Sequence, residues 1–193
     1  MKRLTLFAAI TIMLAVLARA EKPQEYFTVG DPINYCGDAF YFGWSAHPQE
    51  PYYLQEYLPE GETFERYNKM FTVSVIFWNR KPVDAIKAKI AELDERKKTD
   101  PVTNYLVAEN NGDYLLEFIV SDGKDGKLDC VEVDLHYYRQ LKINGKTASV
   151  LSFYSVRAYG DDIIPFMKSI PERRQAWYDA MIQLDLQPKF PKK

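Results

Sequence analysis

Three residue pairs, Asn111-Gly112, Asp125-Gly126 and Asn144-Gly145, constrain this chain more than any other feature, because each falls between runs of β-branched and aromatic residues. Asn-Gly and Asp-Gly supply the positive φ angles that a tight hairpin needs. The runs they separate are Tyr105 to Glu109, Tyr114 to Ser121, Leu128 to Leu141 and Thr147 to Tyr159. Four strands joined this way are expected to be neighbours in one antiparallel meander. Tyr114, Leu116, Phe118 and Val120 oppose Leu115 and Ile119, so both faces of that strand want cover.

The first half of the chain adds more strands. Ile33 to Asp38 reads as a short strand and turn, and Ala39 to Ala46 as a strand with Phe40, Phe42 and Trp44 on one face. His47-Pro48-Gln49-Glu50-Pro51 interrupts the pattern, since each proline removes a donor and holds its predecessor extended. Tyr52 to Leu58 and Phe71 to Trp78 follow as strands, with Thr63 to Lys69 between them expected to form one or two helical turns.

Pro82 suits the first turn of a helix, where its missing N–H leaves nothing unpaired. Val83, Ile86, Ile90 and Leu93 then make one apolar stripe, and Arg96-Lys97-Lys98 falls where cations complement the helix dipole. A second helix is expected after Gly160, with Ser169 as cap, Pro171 in its first turn and Ile170, Trp177, Met181 and Leu184 buried. The class is α+β, a largely antiparallel sheet covered by helices.

Met1-Lys2-Arg3, the uncharged run Leu4 to Leu17, and Ala18-Arg19-Ala20 have the layout of a cleaved secretory signal peptide. The apolar run falls short of the ~20 residues that a bilayer span needs. Residues 1–20 are therefore expected to be removed, leaving a single domain over 21–186 and a flexible Pro- and Lys-rich tail over 187–193. No cysteine follows the run to take a lipid anchor, so no stable membrane insertion is expected after cleavage, and the destination is a bacterial periplasm or the exterior. Removal of Lys2, Arg3 and Arg19 takes the 25 basic residues to 22 against 27 acidic ones, a net charge near −5. That balance disfavours nucleic acid, whose binders carry a basic patch or stripe.

Cys36 and Cys130 are the only cysteines. Export would allow them to form a disulfide; two buried free thiols are the other reading, and both stand open. On the run Leu128 to Leu141, Val131, Val133, Leu135 and Tyr137 share one face, and alternation puts Glu132, Asp134 and His136 together on the other. Two carboxylates and an imidazole there could bind a divalent metal or act in acid–base catalysis, and the other reading is an outward-facing, solvated strand surface. Ser149, Ser152 and Ser155 on the next run could face His136, but no G-x-S-x-G elbow is present. Ser121 to Glu132 echoes a calcium loop only faintly and reads as a hairpin turn. His47 has no ligand partner at metal spacing, Gly-rich phosphate loops are absent, and no cofactor or metal is expected.

The element order resembles the α/β/α sandwich of Mog1/PsbP-like proteins. The stretch Tyr57 to Trp78 (YLPEGETFERYNKMFTVSVIFW), in which a Pro-Gly turn and a short helical turn lead into a strand, carries that resemblance best. It covers most of the mature chain and implies a small exported or organelle-lumen protein without known catalysis, while no residue matches a functional motif position by position. Two functions remain in contention. One is a non-catalytic binding module of the cell envelope, of inhibitor, immunity or assembly-accessory type, for an unknown protein or ligand. This is favoured by 14 Tyr and 3 Trp and by the missing catalytic motif. The other is a secreted hydrolase using His136 with Asp134 or Glu132.

Overall fold

Hairpin chemistry builds most of the sheet. In the computed structural model, which describes residues 23–78 and 81–191, the pairs Asn111-Gly112, Asp125-Gly126 and Asn144-Gly145 all have positive φ. They join β5 (Asn104–Asn110), β6 (Asp113–Lys124), β7 (Lys127–Ile143) and β8 (Lys146–Tyr159) as an antiparallel meander. Cys36-Gly37 makes the same kind of turn between β1 (Ile33–Tyr35) and β2 (Asp38–Gln49). With β3 (Tyr52–Leu58) and β4 (Lys69–Ile76), the eight strands form one antiparallel sheet in the order β1-β2-β3-β4-β8-β7-β6-β5. The expected signal peptide lies outside the described residues.

Each face of the sheet carries one helix. Odd-numbered residues of β7, Val133, Leu135 and Tyr137, join Phe71, Val73, Tyr154 and the α2 (Ile163–Gln183) residues Ile170, Trp177 and Met181 in the larger core. On the other face Leu116, Phe118 and Tyr138 pack with Ile86 and Leu93 of α1 (Pro82–Arg96). This division explains why β6 is apolar on both sides. The sheet also curls. Tyr35 of β1 meets Tyr154 of β8 at 4.6 Å between ring centroids although three strands lie between them, and its hydroxyl donates to the Trp177 carbonyl at 2.7 Å.

A buried ion pair ties α2 to the sheet. Glu117 of β6 is 6% exposed and accepts three hydrogen bonds of 2.8–3.0 Å from Arg174. At the far end of α1, the buried Asp100 carboxylate accepts from Ser121 N and Oγ, Thr103 Oγ1, Val102 N and Arg96 Nε. Burial alone would raise its pKa, but these donors hold it at about 2.

Four local expectations need correction. Phe42 pairs with Tyr57 and Trp44 with Glu56, so Gly43 is an extra residue, a β-bulge that turns Trp44 away from the face of Phe40 and Phe42. Thr63 to Lys69 forms no helix; a Thr63–Arg66 bridge closes a turn there and Lys69 already belongs to β4. The second helix starts at Ile163 rather than near Ser169, leaving Pro171 inside it. Burial of Ile163, Phe166 and Met167 against the sheet outweighs the lost helical bond. Finally, part of the segment expected to fray is docked within the described residues: Lys189 exchanges backbone hydrogen bonds with Thr28 at 3.0 and 2.8 Å, and Phe190 packs on Phe27 and Tyr53.

Candidate functional site

The bulge at Gly43 creates the most binding-like surface of the described residues. Tyr41 pairs with Leu58 and Trp44 with Glu56. Because Leu58 and Glu56 are two apart on β3, Tyr41 and Trp44 lie side by side on one face. They are 45% and 37% exposed. A methyl at position 43 would stand 2.9 Å from Phe64 Cζ, so glycine is what lets the Phe64 ring lie against the strand.

Next to this pair a groove of about 630 Å³ runs between β2, the end of β3 and the loop that follows, lined by Tyr41, Phe42, Phe64, Glu60, Glu62 and Glu65 among others. None of its lining residues is basic. Glu62 holds the loop in shape by accepting from the backbone N–H groups of Asn68 and Lys69. Glu60 and Glu65 are exposed. Glu56, opposite Trp44, is half-buried, and burial pushes its carboxyl up to about 7. Aromatic faces beside free carboxylates can take a cation through the ring quadrupole and through charge.

The sequence-predicted cluster on β7 has a different character. Glu132, Asp134 and His136 do share a face, but each is committed to its own partner. Glu132 accepts from Tyr67 Oη at 3.1 Å and from Arg157 at 2.9 Å. Asp134 accepts a short hydrogen bond from Ser155, and burial, with Glu132 beside it, holds its carboxyl well above the usual range. His136 sits under α1 between Phe118 and Phe153, with Nδ1 3.0 Å from Tyr138 Oη. Burial, aided by Lys89, depresses its pKa well below the ordinary value.

The register separates the serines from the imidazole. Ser155 opposes Asp134, Ser152 opposes Tyr137 and Ser149 opposes Gln140, while Phe153 opposes His136. A neutral, aromatic-encased imidazole with no serine facing it lacks the layout of a nucleophile and its base. Among the described residues no group of three His, Cys, Asp or Glu converges as a metal ligand set.

Of the two readings of Cys36 and Cys130, this structure has them as free thiols. Cys36 is exposed in the β1–β2 turn, whereas Cys130 is half-buried opposite Tyr159 at the start of β7. Burial pushes both thiols up, the reverse of an activated thiolate. His47 stacks on Tyr53 at 4.2 Å between centroids, and its Nδ1 donates to the Tyr52 carbonyl at 2.7 Å.

Sequence reading missed the groove because strict alternation put Trp44 on the face of Phe40 and Phe42. The signal that could have found it was Gly43 itself, since an isolated glycine inside a strand pattern marks a bulge.

Comparison with known proteins places the chain only broadly. A solved structure with a similar outline is LpqN of Mycobacterium tuberculosis, described as involved in cell envelope biogenesis. It shares 13% identity over 86% of this chain and 83% of that one, at a TM-score of 0.31. A search of curated proteins found no match. A protein-family model matches residues 27–186, and the chain belongs to the family which that model defines.

Proposed function

We propose that this chain is an exported, non-catalytic binding module of the cell envelope, and that it takes a basic segment of a protein partner at the bulge on β2. Tyr41, Trp44 and Phe64 supply the apolar and cation-attracting surface, while the exposed Glu60 and Glu65 supply the charge. The observation that carries this reading is the contiguous exposed aromatic and acidic patch around Gly43. The export signal read from residues 1–20 supports the compartment, and among the described residues no helix is long and apolar enough to cross a membrane. A Mog1/PsbP-like sandwich is the architecture that suits the helix on each sheet face.

The test is affinity capture from the protein's own compartment with wild type and with a Tyr41→Ala, Trp44→Ala variant. A partner recovered by wild type and lost with the variant is expected, and cross-links should place a Lys- or Arg-containing segment in the groove. An identical captured set for both proteins would refute the proposal.

A further inference from the structure

The two edges of the sheet are not alike. β1 has three residues, but β5 has seven, paired to β6 in continuous register with no bulge. Proteins usually blunt a long edge with lysine, proline, a bulge or a covering element, because its unpaired N–H and C=O groups template another strand. β5 (NYLVAEN) has no lysine, proline or bulge, and among the described residues nothing hides Leu106 and Val107, which are 47% and 44% exposed.

The hairpin turn fixes which backbone groups point outward. Asn110 pairs with Asp113 across a two-residue turn in which both residues have positive φ. In such a hairpin the closing pair is hydrogen-bonded and the pattern alternates. Residues 104, 106, 108 and 110 therefore bond to β6, and Tyr105, Val107 and Glu109 present their N–H and C=O groups to the free edge.

We infer that β5 pairs antiparallel with β5 of a second copy of this chain, about a twofold axis through Val107. That register sets Tyr105 opposite Glu109, Val107 opposite itself and Leu106 opposite Ala108. All three outward-facing positions on one strand then meet outward-facing positions on the other, giving about six backbone hydrogen bonds. Leu106 gains a cover on the α2 side of the sheet.

Charge fits as well. Lys97 Nζ lies 4.2 Å from the centroid of the Tyr105 ring, and the Tyr105 hydroxyl donates to Asp94 at 3.1 Å. In the pair, Glu109 of each copy comes opposite the other's Tyr105, beside Lys97. Glu109 Oε1 already accepts from the Gly112 N–H at 2.9 Å, which holds the carboxylate in place and leaves its second oxygen for the lysine. Asp94, a like charge beside Tyr105, is occupied by the tyrosine hydroxyl. Another protein's strand would have no reason to match this self-complementary order.

Sedimentation equilibrium of the purified protein tests the inference. A reversible dimer is expected. Val107→Pro removes the central outward N–H without touching a bond to β6, so it should weaken the dimer about tenfold or more while leaving the thermal melt of the monomer, measured on dilute protein, nearly unchanged. Glu109→Lys and Lys97→Glu should each weaken the dimer, and the two together should restore it. These two changes keep the test decisive if the proline variant fails to fold. A monomer at all concentrations to about 1 mM, a folded Val107→Pro protein that dimerises like wild type, or a double swap no better than its single changes would overturn the inference.

Discussion

Replacing Gln55 by Leu should detach the N-terminal segment from the sheet and cost about 3–5 kcal/mol. Gln55 is wholly buried on β3 and its amide is fully used. Oε1 accepts from the N–H groups of Tyr26 and Phe27 at 2.8 and 3.1 Å, and Nε2 donates to Phe27 O at 3.0 Å and to Tyr57 Oη at 2.7 Å. Leucine fills the volume and satisfies none of the four. If the segment stayed in place, two N–H groups and one carbonyl would be orphaned at about 1–3 kcal/mol each. If it left, Phe27, only 1% exposed and packed on Phe190 at 5.3 Å, would lose its burial, which for a phenylalanine is about 3–5 kcal/mol. The smaller of the two sets the cost. Urea denaturation measures it, and native-state hydrogen exchange at Tyr26 and Phe27 shows where it arises. A loss below about 1 kcal/mol, or amides at 26 and 27 that stay protected in the variant, would refute the reasoning.

Two carboxylates should give opposite pH responses. Glu56, raised to about 7 from 4.5, binds more protons folded than unfolded, so stability should fall as pH rises from about 4.5 through 7. Glu56→Gln should abolish that slope and stabilise the protein by about 1–3 kcal/mol at pH 8, read by denaturant titration across pH. Asp100, held at about 2, contributes stability that is present above about 3.8 and lost as pH falls through 2. Asp100→Asn should therefore be less stable than wild type by about 2 kcal/mol at neutral pH, a gap that closes towards pH 2 in acid-unfolding curves.

The parts of this fold that sequence makes legible are those decided within a few residues. Asn111-Gly112, Asp125-Gly126 and Asn144-Gly145 dictate turns whatever surrounds them, and Pro82 with the stripe Val83, Ile86, Ile90 and Leu93 dictates α1. The misread parts are decided by distant partners. Gly43, the bulged residue, is held to glycine because the Phe64 ring occupies the space a side chain would need. Ile163 opens α2 because β7 and β8 offer Val131 and Ala158 to bury it. Alternation on β7 did group Glu132, Asp134 and His136, yet whether that face met water or α1 depended on a helix some forty residues earlier. Thus the grouping was readable and its chemistry was not.

Strand order has a consequence for avidity. The groove lies on β2 and β3 and the long free edge is β5, five strand spacings from β3. Joined through β5, two copies would carry their grooves roughly 50 Å apart along a continuous sheet. A partner with one basic segment would see two independent sites. One with two segments spaced to match would bind the second intramolecularly, at an effective concentration set by its linker, and gain about 10²–10⁴ in apparent affinity without a new contact. Recognition by this protein would then depend on the spacing of its target's motifs as much as on their chemistry.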